Sequence, residues 1–223
     1  MKAISKLLSL LVIPFVLLNH TAFAEPANLS LLTHEVQNYH DSGQYDRELA
    51  AVIKRARHYI DKQATLNQQS KHPKKLALVL DIDETSLSNY CYMQKRGFYP
   101  TREQLQAEMS AADAPAIKPM LALYKEAMKH GVKVFFVTGR PVSVLEATKT
   151  NLVRAGYTNW AGLYLKPDNY HARSIIPFKA SSRALISKQG YTIVATIGDQ
   201  YSDLMGGYAQ KEFKLPNPYY FLP

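Results

Sequence analysis

The sequence predicts an α/β domain built on a doubly wound parallel sheet, Rossmann-like, with helices on both faces. Two observations predict it. An apolar run at residues 76–80 ends abruptly in Asp81 and Asp83, as a buried strand does when it presents polar groups at its carboxyl end. From residue 118 onward, helical patterns alternate with short apolar runs, and Gly131, Gly156 and Gly190 stand where helices should close. Strands separated by helices require right-handed crossovers, hence a parallel sheet.

The first residues stand apart from this pattern. Met1, Lys2 and Lys6 open a basic segment, residues 7–18 are apolar, and Ala22-Phe23-Ala24 has the form of a cleavage site. This is the pattern of a secretory signal peptide over residues 1–24, too short in its apolar part to span a bilayer. Cleavage would leave 199 of the 223 residues, 25–223, enough for one domain with a substantial core. An exported protein, periplasmic or secreted, is expected. No cysteine follows the apolar run, so neither a lipid tether nor any other membrane anchor is expected.

Of 27 Lys and Arg against 18 Asp and Glu, two lysines fall in that leader, so the remainder keeps a surplus of seven positive charges. Such a surplus draws anionic ligands. No run of basic residues interleaved with aromatics suggests a groove for a nucleic-acid polymer. The single cysteine, Cys91, excludes an internal disulfide and is expected to be partly buried and inert.

After a polar lead-in, Asp46 is a plausible N-cap for a helix carrying Leu49, Val52, Ile53, Ala56 and Ile60 on one side. The strand of residues 76–80 follows a polar loop containing Pro73. Pro119 opens a helix lined by Leu121, Tyr124 and Met128, and residues 132–137 form the next strand. Pro141 opens a second helix through Val144, Thr148 and Leu152, ahead of an apolar stretch at 160–165. A third helix at 180–188 leads to a strand at 191–197. Residues 84–117 break the rhythm and carry Tyr90, Tyr92, Phe98 and Tyr99. Placed after the first core strand, they would form a small cap over the carboxyl edge, its aromatics making a small core of their own.

Four polar groups fall at strand ends or helix starts: Asp81 and Asp83, then Thr138-Gly139-Arg140, then Lys179, then Gly198-Asp199-Gln200-Tyr201-Ser202-Asp203. In a parallel sheet these ends converge. Phosphoryl transfer spreads negative charge over three oxygens, so it needs positioning and positive charge. Asp81, the main-chain carbonyl of Asp83 and Asp199 suit the oxygen ligation of Mg²⁺. Asp203 can hold a ligand in place. Thr138 and Gly139 offer a hydroxyl and N–H groups to a phosphate, and Lys179, aided by Arg183, can neutralise it. Asp83 can serve as general acid and base if its pKa is raised toward the working pH.

These four stretches resemble the motifs of the haloacid dehalogenase superfamily, and within it the class B acid phosphatase group that includes plant vegetative storage proteins and plant acid phosphatases. The segments Ser42-Gly43-Gln44-Tyr45-Asp46, Asn151-Leu152-Val153-Arg154-Ala155-Gly156-Tyr157, Gly190-Tyr191-Thr192-Ile193 and Phe213-Lys214-Leu215-Pro216-Asn217-Pro218 extend the resemblance over nearly all of the chain beyond the leader. It implies that Asp81 is a nucleophile forming an aspartyl-phosphate, that Asp83 is the acid/base, that Mg²⁺ is the cofactor, and that small phosphomonoesters are the substrates. The segment 166–178 follows the family poorly, so Lys166 competes with Lys179 as the phosphate-binding lysine. Lys179 is favoured because a helix start also attracts an anion.

Two rival functions are set against the phosphatase. A storage or binding protein can keep the phosphate site while losing turnover, but here both aspartates are intact. A response-regulator receiver also combines Asp, Thr and Lys, but it works in the cytoplasm and this chain carries a leader.

Overall fold

The computed structural model describes residues 26–222; the leader reading lies outside them. The chain runs through α1 (Leu29–Asp41), α2 (Gln44–Gln68), β1 (Lys75–Leu80), α3 (Tyr90–Lys95), α4 (Arg102–Ala111), α5 (Lys118–Lys129) and β2 (Lys133–Pro141). It continues through α6 (Leu145–Arg154), β3 (Gly162–Lys166), α7 (Ile176–Lys188), β4 (Tyr191–Gly198) and β5 (Glu212–Lys214). All strand pairs are parallel, in the order β3-β2-β1-β4-β5. The winding reverses between β1 and β4, which is where such sheets open a crevice at their carboxyl ends.

Alternate residues of the central strands sort into two cores. Leu76, Leu78 and Leu80 of β1 join Val134 and Phe136 of β2 under α2 and α5, with Ile53, Ile60 and Leu123. Ala77 and Val79 join Phe135 and Val137 on the opposite face, against Ile186 of α7. Burial on both faces is why β1 reads as an unbroken aliphatic run rather than an alternating one. Gly162 in β3 is dictated by this packing, since a Cβ there would lie 2.8 Å from the ring of Phe135.

Several local expectations are corrected. The lead-in before Asp46 is itself helical: α1 is capped by the Asn28 side chain, which accepts from the N–H groups of Ser30 and Leu31. Asp46 lies in the first turn of α2, while Gly43, at φ 74°, occupies the N-cap. β2 extends through Thr138 to Pro141, so Pro141 ends a strand, and a 3₁₀ turn (Val142–Val144) precedes α6. α7 begins at Ile176, with Pro177 in its first turn, four residues before the expected start.

Residues between β1 and α5 hold two short helices. α4 is opened by a reciprocal box between Thr101 and Gln104, and Arg96 of the α3 end pairs with Glu108 at 2.9 Å. The aromatics of this segment do not form a core of their own. Tyr90 stacks on His40 of α1, and Phe98 stacks on Tyr219 near the carboxyl terminus. Tyr92 donates to Asp113, and Tyr99 is exposed. Cys91 is exposed rather than partly buried, because α3 turns it outward from the face that buries Tyr90 and Met93. Among the described residues, no helix is long and apolar enough to cross a membrane.

Candidate active site

The switch point between β1 and β4 gathers the acidic residues. Asp81 follows β1 directly, and its N–H donates to the carbonyl of Ile197 on β4 at 3.1 Å. The chain then turns sharply, with Ser86 and Leu87 N–H groups both 2.8 Å from the Ile82 carbonyl. Glu84 in this turn has φ 51°, a left-handed conformation that costs a non-glycine residue about 1–3 kcal/mol. Its buried carboxylate repays part of that by accepting from the N–H of Asn89 at 2.6 Å and from the Tyr220 hydroxyl at 3.3 Å.

Lys179, in the first turns of α7, reaches into this edge. Its Nζ donates to Asp81 Oδ1 at 2.9 Å and also to Asp203 Oδ1. Asp81, Asp199 and Asp203 each bring one carboxylate oxygen within 4.8 Å of the others, and all three are buried. Burial, then the negative charge of Asp203, pushes the Asp81 carboxyl well above the usual range despite Lys179. Burial and Asp203 likewise raise Asp199, against the bonds from Asn217 and Gln200. For Lys179, burial works against the charge, but Asp203 and Asp81 outweigh it and hold the amine protonated. Three buried carboxylates thus share one ammonium. The residual negative charge and the all-oxygen donor set fit a hard divalent cation.

Asp199 is held from three directions. Thr85 Oγ1 donates to its Oδ1 at 2.9 Å, while Gln200 Nε2 at 2.9 Å and Asn217 Nδ2 at 2.6 Å donate to its Oδ2. Asp203 sits directly over Gly198: a Cβ at residue 198 would fall inside the Asp203 carboxylate. Arg183, fully buried, fixes the loop that follows. It donates to the carbonyls of Asp203 at 2.7 Å and Gly207 at 2.8 Å, and to that of Met205. Arg183 therefore acts on Asp203 through the main chain rather than on the acidic cluster itself.

Asp83 is placed differently from the other aspartates. Its carboxylate turns to Arg140, whose Nη2 lies 2.7 Å from Oδ1 and whose Nε lies 3.1 Å from both oxygens. Asn89 Nδ2 adds a bond at 2.9 Å. Burial raises the Asp83 carboxyl, but the Arg140 charge and hydrogen bonds outweigh it and leave it below the ordinary value. The raised pKa on which the acid/base role is conditional is thus opposed by this guanidinium. The clustered carboxylates do not include Asp83, so only its main-chain oxygen remains a candidate ligand.

Thr138 is fully buried and its hydroxyl accepts from the Arg140 N–H at 3.1 Å, tying it to the irregular stretch of β2. Gly139 is half-buried, with open space where a Cβ would stand. Lys166 ends β3 and is half-buried; among the described residues, the lysine bonded to the acidic cluster is Lys179. A hollow of about 320 Å³ flanks Asp199, walled by Tyr201, Lys214, Asn217 and Tyr220.

Residues that sequence reasoning gave no role are Arg140, Asn89, Thr85, Gln200, Asn217 and Tyr220. Two of them had a visible signal. Arg140 ends the Thr-Gly-Arg stretch, and Asn217 is a lone polar residue between Pro216 and Pro218.

A carboxylate and an ammonium at the switch point of a parallel sheet, with two further carboxylates beside them, can bind and transfer an anionic group while holding a cation. Residues 18–223 match the family model described as HAD superfamily, subfamily IIIB (acid phosphatase), and the chain belongs to that family. It is 34% identical over 148 residues to acid phosphatase 1 of Solanum lycopersicum, covering 65% of this chain and 58% of that one. It is 31% identical over 186 residues to vegetative storage protein 2 of Arabidopsis thaliana, covering 82% of this chain and 68% of that one. The chain spans 57–67% of the length of several curated plant relatives that it matches at 34–37% identity. Among solved structures, the class C acid phosphatase of Bacillus anthracis with tungstate bound superimposes with a TM-score of 0.68, at 21% identity and 86% coverage of both chains. That likeness is one of fold.

Proposed function

We propose that this protein is an exported, Mg²⁺-dependent acid phosphatase that hydrolyses small phosphomonoesters through a phosphoryl group carried on Asp81. The single observation that carries the reading is Lys179, bonded at once to Asp81 and Asp203 beside Asp199 in the crevice between β1 and β4. The leader pattern supports export, and residues 84–117 are read as a small cap over the site.

In this reading the phosphate lies against Asp81, Lys179, Thr138 and the N–H groups around Gly139. An oxygen of the Asp81 carboxylate attacks phosphorus and the bond to the substrate's alcohol oxygen breaks. Asp83 gives its proton to that oxygen as it leaves. Water then attacks the acyl phosphate, yielding its proton to Asp83, and phosphate departs with Asp81 restored. Asp81, Asp199 and the Asp83 carbonyl would hold Mg²⁺, which when bound supplies positive charge to the transferring phosphoryl group. Lys179 adds a fixed positive charge at the same oxygens, and its two aspartates keep it from swinging away.

The grip of Arg140 on Asp83 bears on pH. It keeps the carboxyl ionised near neutrality, so the proton-donating form is populated toward acid. A bound phosphate beside it raises its proton affinity by like-charge repulsion. This pair supports the acidic optimum that the proposed function expects.

The likeness to a vegetative storage protein favours one second reading, a phosphate-site protein of low turnover. Both aspartates needed for turnover are present, which supports the enzyme. The test is hydrolysis of a panel of nucleotides, sugar phosphates and aryl phosphates, with and without Mg²⁺, across pH. Cation-dependent turnover with an acidic optimum is expected. Tight phosphate binding with negligible turnover would favour storage.

A further inference from the structure

Residues 215–222 pass beside Asp199 of the acidic cluster. The Leu215 N–H donates to the Gly198 carbonyl at 2.9 Å, continuing the ladder from β5. Buried Tyr219 packs against Tyr45, Tyr90 and Phe98. Gln200 clasps the end, donating to the Tyr220 carbonyl at 3.2 Å and accepting from the Leu222 N–H at 3.1 Å. Between these anchors stands Asn217. Its Oδ1 accepts from the N–H groups of Tyr219 at 2.7 Å and Tyr220 at 3.4 Å, which fixes the amide and aims its Nδ2 at Asp199 Oδ2, 2.6 Å away.

The lone pairs of Asp199 can then be counted. A carboxylate has about four acceptor directions. Asn217 and Gln200 occupy both on Oδ2, and Thr85 occupies one on Oδ1. One direction remains, on Oδ1. Without Asn217, Oδ2 keeps a single donor and only Thr85 and Gln200 resist a turn of the carboxylate about its Cβ–Cγ bond.

We propose that Asn217 is a positioning residue for the cation site: by occupying Asp199 Oδ2 it makes Oδ1 the ligand atom, so the carboxyl-terminal segment is part of the metal-binding apparatus. This rests on the reading that the acidic cluster holds Mg²⁺. Groups that orient metal ligands from outside typically account for 10–100-fold in affinity.

The test measures cation binding directly on the full, folded chain, by calorimetry with Mg²⁺ and by electron paramagnetic resonance with Mn²⁺. Two variants are compared. Asn217→Ala removes both functions of the side chain. Asn217→Ser keeps an acceptor for the Tyr219 turn but is too short to reach Asp199. Both are expected to bind the cation 10–100-fold more weakly, with an altered Mn²⁺ spectrum. Excess cation should restore kcat for an aryl phosphate while KM stays unchanged. Wild-type affinity in the folded variants would overturn the proposal, as would loss of folding in both, which would make Asn217 a structural residue. Failure of the wild-type protein to bind either cation would instead overturn the Mg²⁺ reading on which the proposal rests.

Discussion

The buried guanidinium of Arg140 holds the carboxylate of Asp83 with three hydrogen bonds of 2.7–3.1 Å, although the two residues are 57 positions apart. This pairing sets both the orientation and the proton affinity of Asp83. Replacing Arg140 by Gln removes the charge that holds the carboxyl low, so its protonated form persists to higher pH. The alkaline limb of the kcat profile should move upward. Turnover at the optimum should fall on the order of 10²-fold, the lower end of what a well-placed general acid contributes. A pH–kcat profile of folded Arg140→Gln checks this, and an unmoved limb would separate Arg140 from the proton-transfer step.

The sequence makes β1 and its aspartates legible because burial on both faces leaves an aliphatic run and the switch point leaves polar groups at its end. It hides α1 because that helix, although Leu29, Leu32, Val36 and Tyr39 recur at helical spacing, buries no residue fully and is otherwise mostly polar. It hides β5 because three residues are too few to show a period. The site follows the same division. Asp81, Lys179, Asp199 and Asp203 lie at strand ends and helix starts, where local pattern places them. Arg140 and Asn217 owe their partners to the register of β2 and to the path of residues 215–222, which no local window contains.

Gly198 and Asp203 form a steric lock. A methyl group at residue 198 would displace the Asp203 carboxylate, and with it one of the two partners of Lys179. Gly198→Ala should cost about 1–3 kcal/mol, as overpacking in a tight interior does. Its thermal midpoint and its turnover should fall together. A variant with reduced stability but full activity would show that Lys179 is held well enough by Asp81 alone.

Glu84 gives the metal-free protein a pH-dependent stability. Burial, then the charges of Asp83 and Asp199, raises its carboxyl from 4.5 to about 8. A carboxyl whose folded value exceeds its unfolded one stabilises the fold fully below the unfolded value and loses that contribution as pH rises through the folded one. The contribution of Glu84 is therefore complete below 4.5 and fades as pH approaches and passes about 8. Glu84→Gln cannot ionise, so its melting temperature should fall less steeply than that of the wild type across this window. Thermal melts at a series of pH values in the presence of a chelator make the comparison. Parallel slopes would assign the pH dependence to other groups.

Asp81 and Asp83 stand only two positions apart yet are differently tethered, and their amide variants should fail differently. Asp81 shares Lys179 with Asp203, whereas Asp83 belongs to Arg140 and Asn89. On the proposed route Asp81→Asn loses the anionic oxygen that would attack phosphorus, so no phosphoenzyme should form and turnover should fall to background. Asp83→Asn keeps the nucleophile but cannot pass a proton, so leaving-group departure and hydrolysis should both slow by about 10²–10⁴-fold. The defect should be smaller for substrates whose leaving alcohol is acidic and needs little protonation. Rapid-quench measurement with an aryl and an alkyl phosphate separates the two steps. Equal losses in both variants, independent of leaving group, would dissolve the division of labour between the two aspartates.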